Sequence, residues 1–199
     1  MAETMRIYPR LRFSRKLATG HPDASRWAGF YKEARDVVEE MHQSTYGGHN
    51  RPSWEAHAHV LAVLSPRTSW PQNIRRAIEA ARRAADLGYV QYVAEDFTET
   101  LPGLRMFRES VAVVYSGGVA TGPKTSSFAA NIIGDETKVT VDSWMARAYG
   151  CPDKFNEGQR DIITRSVTRH ARQAGVTPAV MQAILWGFIR EGHYKAWKE

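Results

Sequence analysis

The 199-residue chain holds a single cysteine, Cys151. One thiol forms no internal disulfide and supports no cluster that needs several thiolates of the same chain. Long apolar runs are missing as well: nothing approaches the roughly 18 consecutive apolar residues of a membrane helix. The opening stretch, MAETMRIYPRLRFSRK, lacks the apolar core of a signal peptide. It is basic, as transit peptides are, but without their amphipathic Arg/Ser pattern. An intracellular protein, cytoplasmic or nucleoid-associated, is the expectation. Acidic residues are in deficit, 21 against 27 lysines and arginines, which leaves a net charge of +6. Such an excess draws polyanions through counterion release, so nucleic acid is the partner class it suggests. Repeats, low-complexity tracts and long linkers are absent too, and one domain over 1–199 is expected.

What is present is helical periodicity. From Ser25, the residues Trp27, Phe30, Tyr31, Ala34, Val37, Val38 and Met41 recur at helix spacing, with Gly47-Gly48 closing the segment. Ser53 is a candidate N-cap for the apolar, buried helix WEAHAHVLAVL. Ser69 and Pro71 open a helix with Ile74, Ala77, Ile78 and Ala81 on one face and Arg75, Arg76, Arg82 and Arg83 on the other, ended by Gly88. Residues 89–102 read as irregular. A helix over roughly 103–115 runs into Ser116-Gly117-Gly118, and further helices are expected from Pro123, from Asp142, over 156–173 and over 178–190. The only strand candidate is the VTV of 139–141, too short for a sheet. The chain reads as all-α.

The chemistry concentrates in VATGPKTSSFAANIIGDETKVTVDSWMAR, residues 119–147. Gly122 permits a tight turn between helices, and the turn leads into the N-terminus of the helix that carries Lys124 and Thr125. Unpaired N–H groups and a partial positive charge make such an end a phosphate site. Asp142 follows an apolar run and opens a helix, where a carboxylate caps the N-terminus.

This stretch resembles the core of the helix-hairpin-helix DNA glycosylases, in particular the endonuclease III-like branch. That branch has a hairpin L-P-G-V-G-x-K-T-A and then an apolar stretch ending V-D-T-H-x-x-R. Gly122-Pro123-Lys124-Thr125 matches the end of the hairpin, Val141-Asp142-Ser143 the V-D-T, and Arg147 the arginine. Lys124 and Asp142 stand eighteen residues apart, as in the family. VLAVLSPRTSWPQNI, residues 60–74, resembles the family helix ending L-S-x-Q-T, whose following loop wedges a side chain into the duplex; Arg67 takes that slot. QAILWGF, 182–188, suits the closing helix. The resemblance spans about 53–190, with three departures: Ala120 replaces the first hairpin glycine, Trp144 the histidine, and the four-cysteine cluster loop is missing.

The resemblance implies a two-lobed glycosylase-like fold acting on double-stranded DNA without a cofactor or metal. Such enzymes extrude the target nucleotide from the duplex. A carboxylate at Asp142 would stabilise the positive charge that develops on the sugar as the glycosidic bond breaks. Lys124 would attack the anomeric carbon as a neutral amine and form a Schiff base, giving AP-lyase activity. Ala120, Thr121, Gly122, Thr125, Arg67 and Arg147 would meet DNA, and Trp144 would line the base pocket. Plainer roles stand beside these: a helix cap for Asp142, a phosphate contact or surface lysine for Lys124, a core position for Trp144. Relatives on the same scaffold resemble transferases of phage DNA hypermodification, and a non-catalytic DNA-binding module is a third reading. The arginine face at 75–83 is a solvated surface or a backbone-tracking one. His57 and His59, two apart on a helix, point about 200° away from each other and do not converge on a metal. LPGL at 101–104 lacks a lysine partner and reads as a loop and helix start, and Cys151 reads as structural.

Overall fold

The computed structural model describes residues 18–45, 52–66, 68–87, 107–151 and 155–193. Every regular element among them is helical, so the chain is all-α. The 139–141 segment forms no strand among the described residues; Val139 and Val141 are buried instead as part of a helical core. None of the described helices is long and apolar enough to cross a membrane. The described residues divide into two compact units, one drawn from the chain up to Tyr31 and again from Glu136, the other from Lys32–Asp135.

In the first unit lie α1 (Ala24–Ala28), the Phe30-Tyr31 start of α2 (Phe30–Ser44), α7 (Ser143–Ala148), α8 (Glu157–Ala174) and α9 (Pro178–Phe188), which runs into a π-helical turn, Ile189–His193. The periodicity from Ser25 to Met41 reads as one helix, but the chain breaks it at Gly29. Trp27, on the short α1, packs where α9 carries Gly187: a Cβ there would lie 2.3 Å from the indole. Starts and stops follow local chemistry. Asn156 and Gln159 form a reciprocal capping box on α8, and Gly175 ends it at φ 69°. Thr177 caps α9 with Pro178 in its first turn. The core joins Trp27, Met145, Ile163, Val167, Met181, Leu185 and Phe188. Cys151 belongs to this core, and burial pushes its thiol pKa up. Burial also raises the Tyr149 hydroxyl to about 12.

The second unit centres on α3 (Trp54–Val63), the apolar helix expected after Ser53, whose hydroxyl caps it by accepting from Ala56 N–H at 3.1 Å. Around α3 pack α4 (Trp70–Leu87), α5 (Arg108–Tyr115) and α6 (Pro123–Ile133). Helix α4 presents fully buried alanines, Ala77, Ala80, Ala81 and Ala84. Asn73 ties α4 to α3 by donating to the Leu61 carbonyl at 3.2 Å. Helix α5 ends at Tyr115, before Ser116-Gly117-Gly118 as expected. Its expected start near residue 103, the LPGL loop, Gly47-Gly48 and Gly88 lie outside the described residues.

Candidate functional site

Asp142 stands where the 139–141 segment turns into α7. The carbonyl of the preceding Val141 accepts from the Arg160 guanidinium at 3.3 Å, which anchors the approach. The Asp142 carboxylate is held twice. Oδ1 accepts from Met145 N–H at 2.9 Å, the N-cap bond expected of a helix start. Oδ2 accepts from the Trp186 indole N–H, also at 2.9 Å. An ionised carboxylate has about four lone-pair positions. Two bonds therefore orient the group and leave acceptor capacity, on a side chain that is only partly buried.

Aromatic and cationic groups surround it within the same unit. Trp144, two residues on, is 38% exposed, so it is no core residue. The Arg147 guanidinium carbon lies 5.3 Å from its ring centroid and that of Arg190 5.9 Å. Arg190 also sits 4.7 Å from the centroid of Trp186. Phe30 stands against the other tryptophan, with ring centroids 5.4 Å apart. Sequence reasoning found Asp142, Trp144 and Arg147, and missed Trp186, Arg190 and Arg160. A readable signal existed for two of them: Trp186 and Arg190 are four apart, a same-face helical spacing.

Lys124 belongs to the other unit. Gly122 adopts φ 89°, a backbone conformation that excludes most L side chains, and Pro123 opens α6 behind it. The hydroxyls of this turn fold back: Thr125 donates to the Thr121 carbonyl, and Ser126 to that of Gly122 at 2.9 Å. Thr121 and Gly122 are exposed, and Thr125 is half-buried. Ala120 is buried, and its N–H donates to His59 Nδ1 at 3.2 Å. That amide is therefore committed inside the unit. The half-buried Lys124 places Nζ 3.3 Å from Ser65 Oγ, in the loop that ends α3. Ser65 and His59 lie about sixty residues upstream of their partners, and no local pattern reveals such contacts. Arg67, the expected wedge residue, lies outside the described residues.

His42 and His57 make a second cluster in this unit. His57 is fully buried, 3.4 Å from the Tyr115 hydroxyl through Nδ1, with the His42 ring centroid 5.7 Å from its own. Burial lowers the His59 pKa, and the nearby Glu55 opposes that shift. Glu55 itself is held below the usual carboxylate range by hydrogen bonds from its own backbone and from Ser53, with His42 and His59 adding to the effect. Among the described residues no group of His, Cys, Asp and Glu is arranged to hold a metal.

The geometry defines an all-helical protein with an oriented carboxylate beside an exposed tryptophan–arginine surface in one unit, and a half-buried lysine behind a glycine turn in the other. The chain belongs to DUF7178, a family of unknown function, which matches residues 16–193. No curated protein and no solved structure matches it.

Proposed function

We propose that this protein is a DNA glycosylase with AP-lyase activity. It flips a base from double-stranded DNA and breaks the glycosidic bond, with Asp142 as the carboxylate and Lys124 as the Schiff-base nucleophile. The observation that carries the reading is the double anchoring of Asp142 by Met145 N–H and the Trp186 indole. A preorganised charge stabilises a developing cation without reorganising during the reaction, and that is what an oxocarbenium-like sugar requires. Trp144 offers a π-face beside it for an extruded base, and Arg147 a cation for the backbone. For Lys124, partial burial and a hydroxyl partner at Ser65 are the supporting features. Gly122, Thr121 and Thr125 would approach the DNA backbone at the turn, with the Ala120 amide withdrawn from it.

Borohydride trapping on an oligonucleotide with an abasic site tests the lysine. Wild type is expected to give a covalent adduct that Lys124→Ala abolishes. Release of free base from a panel of modified duplexes, lost in Asp142→Asn, tests the carboxylate. The absence of an adduct despite DNA binding overturns the lyase assignment. A changed base mass with an intact sugar–base bond would point instead to a base-modifying transferase on this scaffold.

A further inference from the structure

Helix α7 and the end of α9 each build a tryptophan–arginine pair by helical spacing, Trp144 with Arg147 three residues on and Trp186 with Arg190 four residues on. Arg190 joins the pairs, reaching 4.7 Å from the Trp186 centroid and 5.9 Å from that of Trp144. The acids near it are engaged elsewhere. Glu191 accepts from Arg26 at 2.7 Å through both oxygens and from the Trp27 indole at 2.9 Å. Asp142 is turned to Met145 N–H and Trp186. No ion pair among the described residues involves Arg190. Arg190 is exposed on this face.

The Arg147 and Arg190 guanidinium carbons lie over the Trp144 ring, 5.3 and 5.9 Å from its centroid, within cation–π reach. With the indole 38% exposed, a ring flanked by two cations is open to a flat, electron-rich group attached to an anion. Nucleotides have that combination. In a duplex, however, both faces of each internal base are already covered by neighbours, and only an unpaired base presents a face to an aromatic side chain.

We propose that Trp144, flanked by Arg147 and Arg190, is a binding site for single-stranded nucleic acid. An unpaired base stacks on the indole while strand phosphates meet the guanidiniums. The inference rests on the nucleic-acid part of the function proposed above and adds a preference that the glycosylase reading does not require.

The test is fluorescence anisotropy with a labelled oligothymidylate of about twelve nucleotides, within the range one such surface covers, against a duplex of the same length. The single strand is expected to bind more tightly. Trp144→Ala should weaken it about tenfold or more, as the loss of one stacked base does, while Trp144→Phe retains most of the binding. Arg190→Gln should flatten the salt dependence by about 0.7 in log–log slope, the contribution of one strand phosphate. Binding by Trp144→Ala equal to wild type, or an equal loss on duplex and single strand, overturns the proposal. Base release and the borohydride adduct are read separately. A protein that releases base yet binds the oligothymidylate independently of Trp144 keeps the glycosylase reading and loses this one. Trp144-dependent binding of single strand without base release does the reverse.

Discussion

Asp142 carries two duties that substitutions can separate. Its two oxygens meet two donors, Met145 N–H and the Trp186 indole. Asparagine has one acceptor oxygen and satisfies one of them. Serine caps the helix but is too short for the indole, and alanine satisfies neither. A lost cap costs about 1 kcal/mol and a lost hydrogen bond at a part-exposed group about the same. Urea denaturation should therefore rank stability as Asp, then Asn and Ser each about 1 kcal/mol lower, then Ala about 2 kcal/mol lower. An Asn variant as stable as wild type would show that the indole bond contributes nothing. The ranking also protects the activity test, because Asp142→Asn removes the charge at a small structural cost. The cap was legible in the sequence, since an acid following an apolar run and opening a helix has that one local meaning. The indole bond was not, because forty-four residues separate its partners.

Elements were legible where side chains obey a local period and misjudged where packing intervened. The helices expected over 156–173 and 178–190 fold as Glu157–Ala174 and Pro178–Phe188, and their caps, Asn156 and Thr177, sit within three positions of the groups they satisfy. Gly29 is different. Its sequence surroundings keep the helical period, and the break there leaves a five-residue α1 whose Trp27 seats on α9. Gly187 makes that seat. A Cβ at this position would stand 2.3 Å from Trp27, which is 5% exposed and bonded through its indole N–H to Glu191. In an open helix, glycine to alanine gains about 1 kcal/mol; here overpacking of about 1–3 kcal/mol opposes it. Gly187→Ala is expected to lower the thermal midpoint. Gly158→Ala on α8 is the control, because its added methyl meets only Asn156 Oδ1, at 3.5 Å. It should leave the midpoint unchanged or raise it. A Gly187→Ala protein as stable as wild type would mean that Trp27 moves aside freely.

At the scale of the whole molecule, the chain crosses between its two units at residues 31–32 and again at 135–136. The motif that reads as continuous in sequence, 119–147, is thereby divided, with Lys124 in one unit and Asp142 in the other. The spacing of the motif was legible because it is local, and the division was not, because it depends on which helices bury which faces. The stability of the molecule should also carry a pH signature of this arrangement. The first residue of the glycine turn, Ala120, donates its N–H to His59 Nδ1 at 3.2 Å, which requires a neutral imidazole nitrogen there. Burial lowers the folded pKa of His59 below its ordinary 6.5, with Glu55 pulling the other way. The unfolded chain then binds this proton more readily than the folded one, so stability falls as pH falls. The contribution is fully present above 6.5 and is lost as pH drops from there through the lower folded value. Urea midpoints measured from pH 7.5 to 5 should therefore decline more steeply for wild type than for His59→Asn, which keeps an acceptor near the position of Nδ1 and does not titrate. His42 and His57 are present in both proteins, so the difference between the two curves reports His59 alone. Parallel curves would mean that the imidazole accepts its proton without releasing the turn.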